Sequence, residues 1–170
     1  MTSFTRGWQD KLLKQGDQYI ASRRPEGVSD GDSEELVLRN TSEEEVMYVE
    51  AITTKNNEGK AYVDATKNLN VDSSGTSADV EDMRVDTEET VSGFEAEYNG
   101  SYSGGSTFAL DLLTGTSGGG GGPSSARTGG STISSAFLLA PGENLRFSIT
   151  NESGTSSDML LEAVVAVAKE

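Results

Sequence analysis

Apolar residues recur at every second position along much of this chain, a period that suits strands and excludes a helical bundle. The last third shows it best: Leu145, Phe147 and Ile149 share one face, and Met159, Leu161, Ala163, Val165 and Val167 alternate with Leu160, Glu162, Val164 and Ala166. That final stretch is apolar on both faces, as a central strand or one covered by another subunit would be. Further strands are predicted at 36–38, 46–54, 61–66, 68–72, 80–85, 91–98, 107–113 and 131–140. Asn56 to Gly59 and Pro141-Gly142 read as tight turns, so each predicts an antiparallel hairpin between the strands it joins. Nine or ten short strands predict a mainly β chain, an antiparallel sandwich.

Only the first 24 residues depart from this period. Phe4, Trp8 and Leu12 recur at four-residue spacing, and Tyr19 and Ile20 continue the apolar face, which predicts an amphipathic helix over 4–22. Pro25 and Gly27 should end it, and residues 25–34 read as a polar linker. The expected organisation is therefore a helical arm and linker at 1–34 and one β-sandwich at 35–170, with a glycine-rich loop at 115–130. The arm either packs on its own domain or inserts between subunits. In the second case Phe4, Trp8, Leu12, Tyr19 and Ile20 are the candidate assembly residues.

Charge divides along the same line. Arg6, Lys11, Lys14, Arg23 and Arg24 outnumber Asp10 and Asp17 in the arm by three, which leaves −18 of the total −15 on the remainder. Such a body repels nucleic acid and anionic membranes. With only six lysines and a pI near 4.3, the composition resembles that of proteins from extreme halophiles, in which molar salt screens the carboxylates, with an ordinary acidic protein as the alternative. No apolar run reaches the ~20 residues of a membrane span and the first twenty carry charges throughout, so a soluble chain without a secretory signal is expected.

The chain has no histidine and no cysteine, which removes Ser-His-Asp machinery, thiol nucleophiles and thiolate metal sites. Acid pairs such as Glu88-Glu89 are too frequent to mark a catalytic pair, and Asp30, Asp32 and Glu34 lack the glycine and terminal glutamate of a calcium loop. No catalytic residue, cofactor or metal site is expected. Asn40, Asn99 and Asn151 head Asn-x-Ser/Thr sequons, a number close to chance in a chain this rich in serine and threonine. Tyr98 and Tyr102, around Asn99-Gly100-Ser101, suit either a sugar-binding surface or hairpin packing.

The stretch from Ala136 to Glu170, with its Leu-Leu-Ala-Pro-Gly-Glu-Asn-Leu-Arg-Phe-Ser-Ile-Thr-Asn turn and strand pair, resembles the terminal hairpin of small jelly-roll proteins on tailed-virus particles. With the acidic composition it resembles structural proteins of haloarchaeal tailed viruses. The resemblance implies a jelly-roll fold, a virion location as capsid decoration, turret or tail subunit, homo-oligomerisation and contact with other shell proteins. An adhesion module that recognises a host surface glycoprotein or glycan is the second expectation.

Overall fold

A computed structural model describes residues 18–83, 93–109, 129–133 and 137–168. They form fourteen strands: β1 (Gln18–Arg23), β2 (Ser33–Asn40), β3 (Val46–Asn56), β4 (Ala61–Lys67), β5 (Asn70–Ser73), β6 (Thr76–Ser77), β7 (Asp79–Asp82), β8 (Phe94–Tyr98), β9 (Ser101–Ser103), β10 (Ser106–Ala109), β11 (Gly129–Ile133), β12 (Phe137–Leu139), β13 (Asn144–Asn151) and β14 (Met159–Ala168). One sheet runs β11-β3-β14-β1-β7, with β12 also on β3. The other runs β10-β4-β13-β2-β8-β6, and β5 and β9 form a separate ribbon. Every pairing is antiparallel.

The pairings nest. β1 pairs β14, β2 pairs β13, β3 pairs β11 and β12, and β4 pairs β10, so the first half of the chain folds back on the second as one long ribbon. Rolling that ribbon places successive members in opposite sheets, which is the two-Greek-key connectivity of a jelly roll. The segment between β4 and β10 is an insertion. It adds β7 beside β1 in one sheet and β8 and β6 beside β2 in the other, extending both sheets at the same edge.

The core lies between the two sheets. Leu36, Leu38, Leu145, Phe147, Ile149 and Val63 from one face Met47, Val49, Ile52, Leu161, Ala163 and Val165 from the other, all essentially without exposure. Burial of each larger side chain stabilises the fold by about 1.5–3 kcal/mol. In β3 the alternation breaks at Glu50 and Ala51, where the register with β14 slips between Val164 and Val165. The extra residue keeps Met47 and Val49 on the same face as Ile52 and Thr54; without it, half of the strand's apolar residues would point outward.

Three expectations change. Residues 18–22, placed in the arm helix, belong to β1: Tyr19 and Ala21 are buried in the core while Gln18, Ile20 and Ser22 face outward, a period of two. Tyr19 packs on Phe94 with ring centroids 5.3 Å apart, so its ring lies in the interior of its own sandwich. Phe4, Trp8 and Leu12, with the rest of the expected helix, lie outside the described residues, as does the glycine-rich loop up to residue 128.

Neither tight turn closes a hairpin. Asn56 to Gly59 joins β3 to β4, and Pro141-Gly142 joins β12 to β13, and in both cases the strands lie in opposite sheets. The reason is visible at the second turn. Leu139 pairs with Met47, whereas five residues on Asn144 pairs with Arg39, so the chain turns a corner of the sandwich. Glu143 braces this corner, accepting from the Ala140 N–H at 2.9 Å and from Asn68 Nδ2 at 3.3 Å. The Ala140 bond, and then Lys67, hold its carboxyl below its ordinary value.

The expected linker is bonded along the body. Val28 and Ser157 exchange backbone hydrogen bonds, Gly31 N donates to Asn151 O, and Met159 N donates to Pro25 O.

Candidate functional site

Alternation that buries Leu36, Phe147 and Val63 necessarily presents their neighbours on the outer face of the second sheet. Glu35, Ser148 and Asp64 stand in one row across β2, β13 and β4. Val37, Arg146 and Thr66 form the next, with Glu97 of β8 opposite Val37. Both rows are polar except for Val37, which is fully buried although it faces away from the core.

Cover over this face comes from the insertion. The chain leaves β8 at Tyr98, passes Asn99 in a left-handed conformation (φ 57°) and returns as β9, paired with β5. Close backbone approach requires glycine here. A Cβ on Gly75 would lie 2.2 Å from the Tyr98 carbonyl oxygen, and one on Gly100 would lie 2.3 Å from Tyr102 Oη. Between this corner, β2 and β13 lies an open depression of about 360 Å³, lined by Ser33, Glu34, Glu35, Asn99, Gly100, Arg146 and Ser148.

Arg23 closes one wall. Its guanidinium pairs with the Glu34 carboxylate, donates to Asn99 Oδ1 at 3.3 Å, and lies 3.8 Å above the Tyr98 ring. A cation over an aromatic face contributes about 0.5–2 kcal/mol according to how dry it is. On the other side Arg39 reaches Glu95 at 3.2 Å and Glu97 at 3.4 Å, while Glu97 also accepts from Gly75 N at 3.1 Å. Arg146 donates to Thr66 Oγ1 at 3.2 Å and stands 3.8 Å from Glu35.

Three buried polar atoms on this side of the molecule have no hydrogen-bond partner among the described residues: Asp64 Oδ1, Tyr102 Oη and Arg146 Nε. Burial raises the Glu35 carboxyl from its ordinary value. Arg146 and Arg23 oppose that shift, and Glu34 and Glu97 add to it. Burial also raises the Tyr102 phenol, and next the negative charge of Glu97 does; the Glu97 carboxylate interacts with the phenol but stands outside good hydrogen-bond geometry. Chemically, the depression offers one guanidinium, the carboxyls of Glu34 and Glu35, hydroxyls and an amide. That set suits a hydroxyl-rich or otherwise hydrogen-bonding ligand.

Of the residues singled out from the sequence, Tyr98 and Tyr102 come together here, but as walls. Tyr98 is half-buried under Arg23, and Tyr102 is half-buried with its oxygen inside. The structure adds Arg146, Glu35 and Ser148, which alternation placed on a polar face without marking as a group. Asn40 and Asn151, two of the three sequon asparagines, are buried braces. Asn40 Nδ2 donates to Glu45 O and Leu139 O, and Asn151 Nδ2 donates to Val28 O and Thr155 O. Asp30, from the alternating acids, accepts from Gly154 N at 2.8 Å. Among the described residues no group of three or more acidic side chains is placed to hold a metal ion, and no helix is long and apolar enough to cross a membrane.

No protein-family model matches the sequence, and no curated protein does. A chain from the structure of a marine algae virus of the order Picornavirales aligns with a TM-score of 0.25 at 10% identity, over 96% of this chain and 78% of that one. Similarity at that level carries no argument about what this chain does.

Proposed function

We propose that this chain is a non-enzymatic structural subunit of a virus particle, a capsid decoration, turret or tail component. Its N-terminal segment anchors it, and its β-domain forms a homo-oligomer. The observation that carries the reading is the outer face of the first sheet. There Leu138, Tyr48, Ala166, Val164, Ala51 and Ile20 form adjoining apolar positions on β12, β3, β14 and β1. Leu138 is 50% exposed, and it is one of only two large apolar side chains so exposed among the described residues. Ala166 is fully buried and Ile20, Tyr48, Ala51 and Val164 are partly buried within the chain itself, so Leu138 is the part of this face left for a neighbour to cover. The jelly-roll connectivity adds support by analogy alone, because a fold hosts many functions. A location on a haloarchaeal tailed virus rests on the sequence resemblance and the acidic composition. The test is a density gradient of purified particles: the chain should travel with intact particles in a fixed copy ratio, and its absence from them rejects the reading.

A second reading, adhesion to a host glycoprotein or glycan, draws on the depression beside Tyr98 and Asn99. Under it, glycan binding by the purified chain should be lost in Arg146→Ala, whose side chain lines the floor.

A further inference from the structure

The fold treats its three Asn-x-Ser/Thr sequons in two ways. Asn40 is buried, its two amide hydrogens go to Glu45 O and Leu139 O, and its Oδ1 accepts from Ser42 N. Asn151 is buried too, with Nδ2 donating to Val28 O and Thr155 O and Oδ1 accepting from Asn56 and Ser153 N. A sugar on either nitrogen would displace one of those hydrogens and need space inside a close-packed interior. Neither can carry one in the folded chain.

Asn99 differs on each count. It is exposed at the corner between β8 and β9, in a left-handed conformation (φ 57°). Its Oδ1 accepts from Arg23 at 3.3 Å, and none of the hydrogen bonds among the described residues uses its Nδ2. Ser101, whose hydroxyl completes the sequon, is exposed as well, and Gly100 between them has no side chain to shield the amide.

We infer that Asn99 is a site of N-linked glycosylation, the one sequon of the three that the fold presents to a transferase. Nδ2 attacks C1 of a sugar phosphate donor, nucleotide- or lipid-linked. The Nδ2–C1 bond forms as the C1–O bond breaks, the phosphate leaves with the electron pair, and one Nδ2 proton passes to a base of the transferase.

The surroundings suit the product. Asn99 and Gly100 help to line the depression, so a sugar joined to Nδ2 starts at its rim. Ser33, Glu34, Glu35, Arg146 and Ser148 offer donors and acceptors to sugar hydroxyls. A volume of about 360 Å³ is at the small end of the ~300–1,000 Å³ usual for ligand sites, so the depression holds the sugars nearest the linkage and leaves the rest in solvent. Such cover closes it to a host glycan, which sets a modified Asn99 against the adhesion reading.

Peptide mapping by mass spectrometry, on the full chain isolated from the cells or particles that produce it, tests the site. The peptide containing Asn99 should be heavier by whole sugar residues, with fragment ions that place the added mass on Asn99. The peptides containing Asn40 and Asn151 should be bare. Ser101→Ala made in the same producer should lose the added mass, and Ser101→Thr, which keeps the hydroxyl, should retain it. A bare Asn99 in the parent chain overturns the assignment. So does added mass that survives Ser101→Ala, because it would mark sugar on a neighbouring serine or threonine oxygen. Sugar on Asn40 or Asn151 overturns the selection by burial.

Discussion

Asn56 and Asn151 meet side chain to side chain inside the sandwich, Nδ2 of Asn56 donating to Oδ1 of Asn151 at 3.1 Å. One ends β3 in the first sheet and the other ends β13 in the second, and neither is exposed. Asn56 also donates to Lys60 O and accepts from Ser157 Oγ, while Asn151 holds Val28 O, Thr155 O and the Ser153 N–H. The pair thus replaces, at one corner, the ladder bonds that the chain gives up on changing sheets.

Asn151→Ala would remove one of the two donors to each of the Val28 and Thr155 carbonyls and leave the Ser153 N–H and one Asn56 amide hydrogen without a partner. Each buried unmade bond costs about 1–3 kcal/mol, so a loss of roughly 2–4 kcal/mol is expected after partial rehydration. Asn57→Ala, one residue past β3 and exposed, should stay within about 0.5 kcal/mol. Urea unfolding of both variants checks the contrast, and equal midpoints would refute the brace.

Gly75→Ala tests the close approach that shapes the depression. The new methyl group would meet the Tyr98 carbonyl oxygen at 2.2 Å and Gly100 N at 2.8 Å, so the insertion must shift. Overpacking of this kind costs about 1–3 kcal/mol. Thermal unfolding unchanged by the substitution would contradict the described corner.

Glu35 predicts a particular pH response. Its carboxyl is raised in the folded state, chiefly by burial, so between its ordinary and raised values the folded chain binds more protons than the unfolded one. Its contribution to stability is therefore greatest below the ordinary value and is lost as pH rises through the raised one. Glu35→Gln, which keeps the neutral shape, should match the parent at pH 4 and unfold at higher urea at pH 7. A lower midpoint at pH 7 would mean that the 3.8 Å pairing with Arg146 outweighs burial.

Salt should stabilise the fold. Arg23, Arg39, Lys60, Lys67 and Arg146 are already in ion pairs, yet 28 acids against 13 bases leave a large excess of like charge. Exposed pairs contribute 0–1 kcal/mol each and weaken in salt, whereas the net repulsion falls as the screening length drops from about 10 Å at 0.1 M to about 3 Å at 1 M. The melting temperature should rise with potassium chloride across that range. A flat or falling curve would remove the halophilic reading.

The strands were legible because period two survives in even short segments: 144–150 and 158–168 were read within a residue of β13 and β14. Partnership was not. A tight turn records that the chain reverses, and says nothing about whether the next strand rejoins the same sheet. Both turn signals, at Asn56 to Gly59 and at Pro141-Gly142, proved to be corners. β1 escaped because its six residues hold only two inward apolar side chains, Tyr19 and Ala21, while Tyr19 and Ile20 also extend a helical stripe begun at Phe4. Nor could alternation group Glu35, Ser148 and Arg146 into a site, since their proximity depends on register across three strands. The bracing asparagines carried only a turn or sequon signal.

Sedimentation velocity on the full chain and on a variant lacking residues 1–17 tests the central claim most directly. Assembly through that segment predicts a discrete oligomer for the full chain and a folded monomer, with the same β signature in circular dichroism, for the shortened one. A full-length chain that sediments as a monomer at every concentration, or an oligomer that the deletion leaves intact, would contradict it.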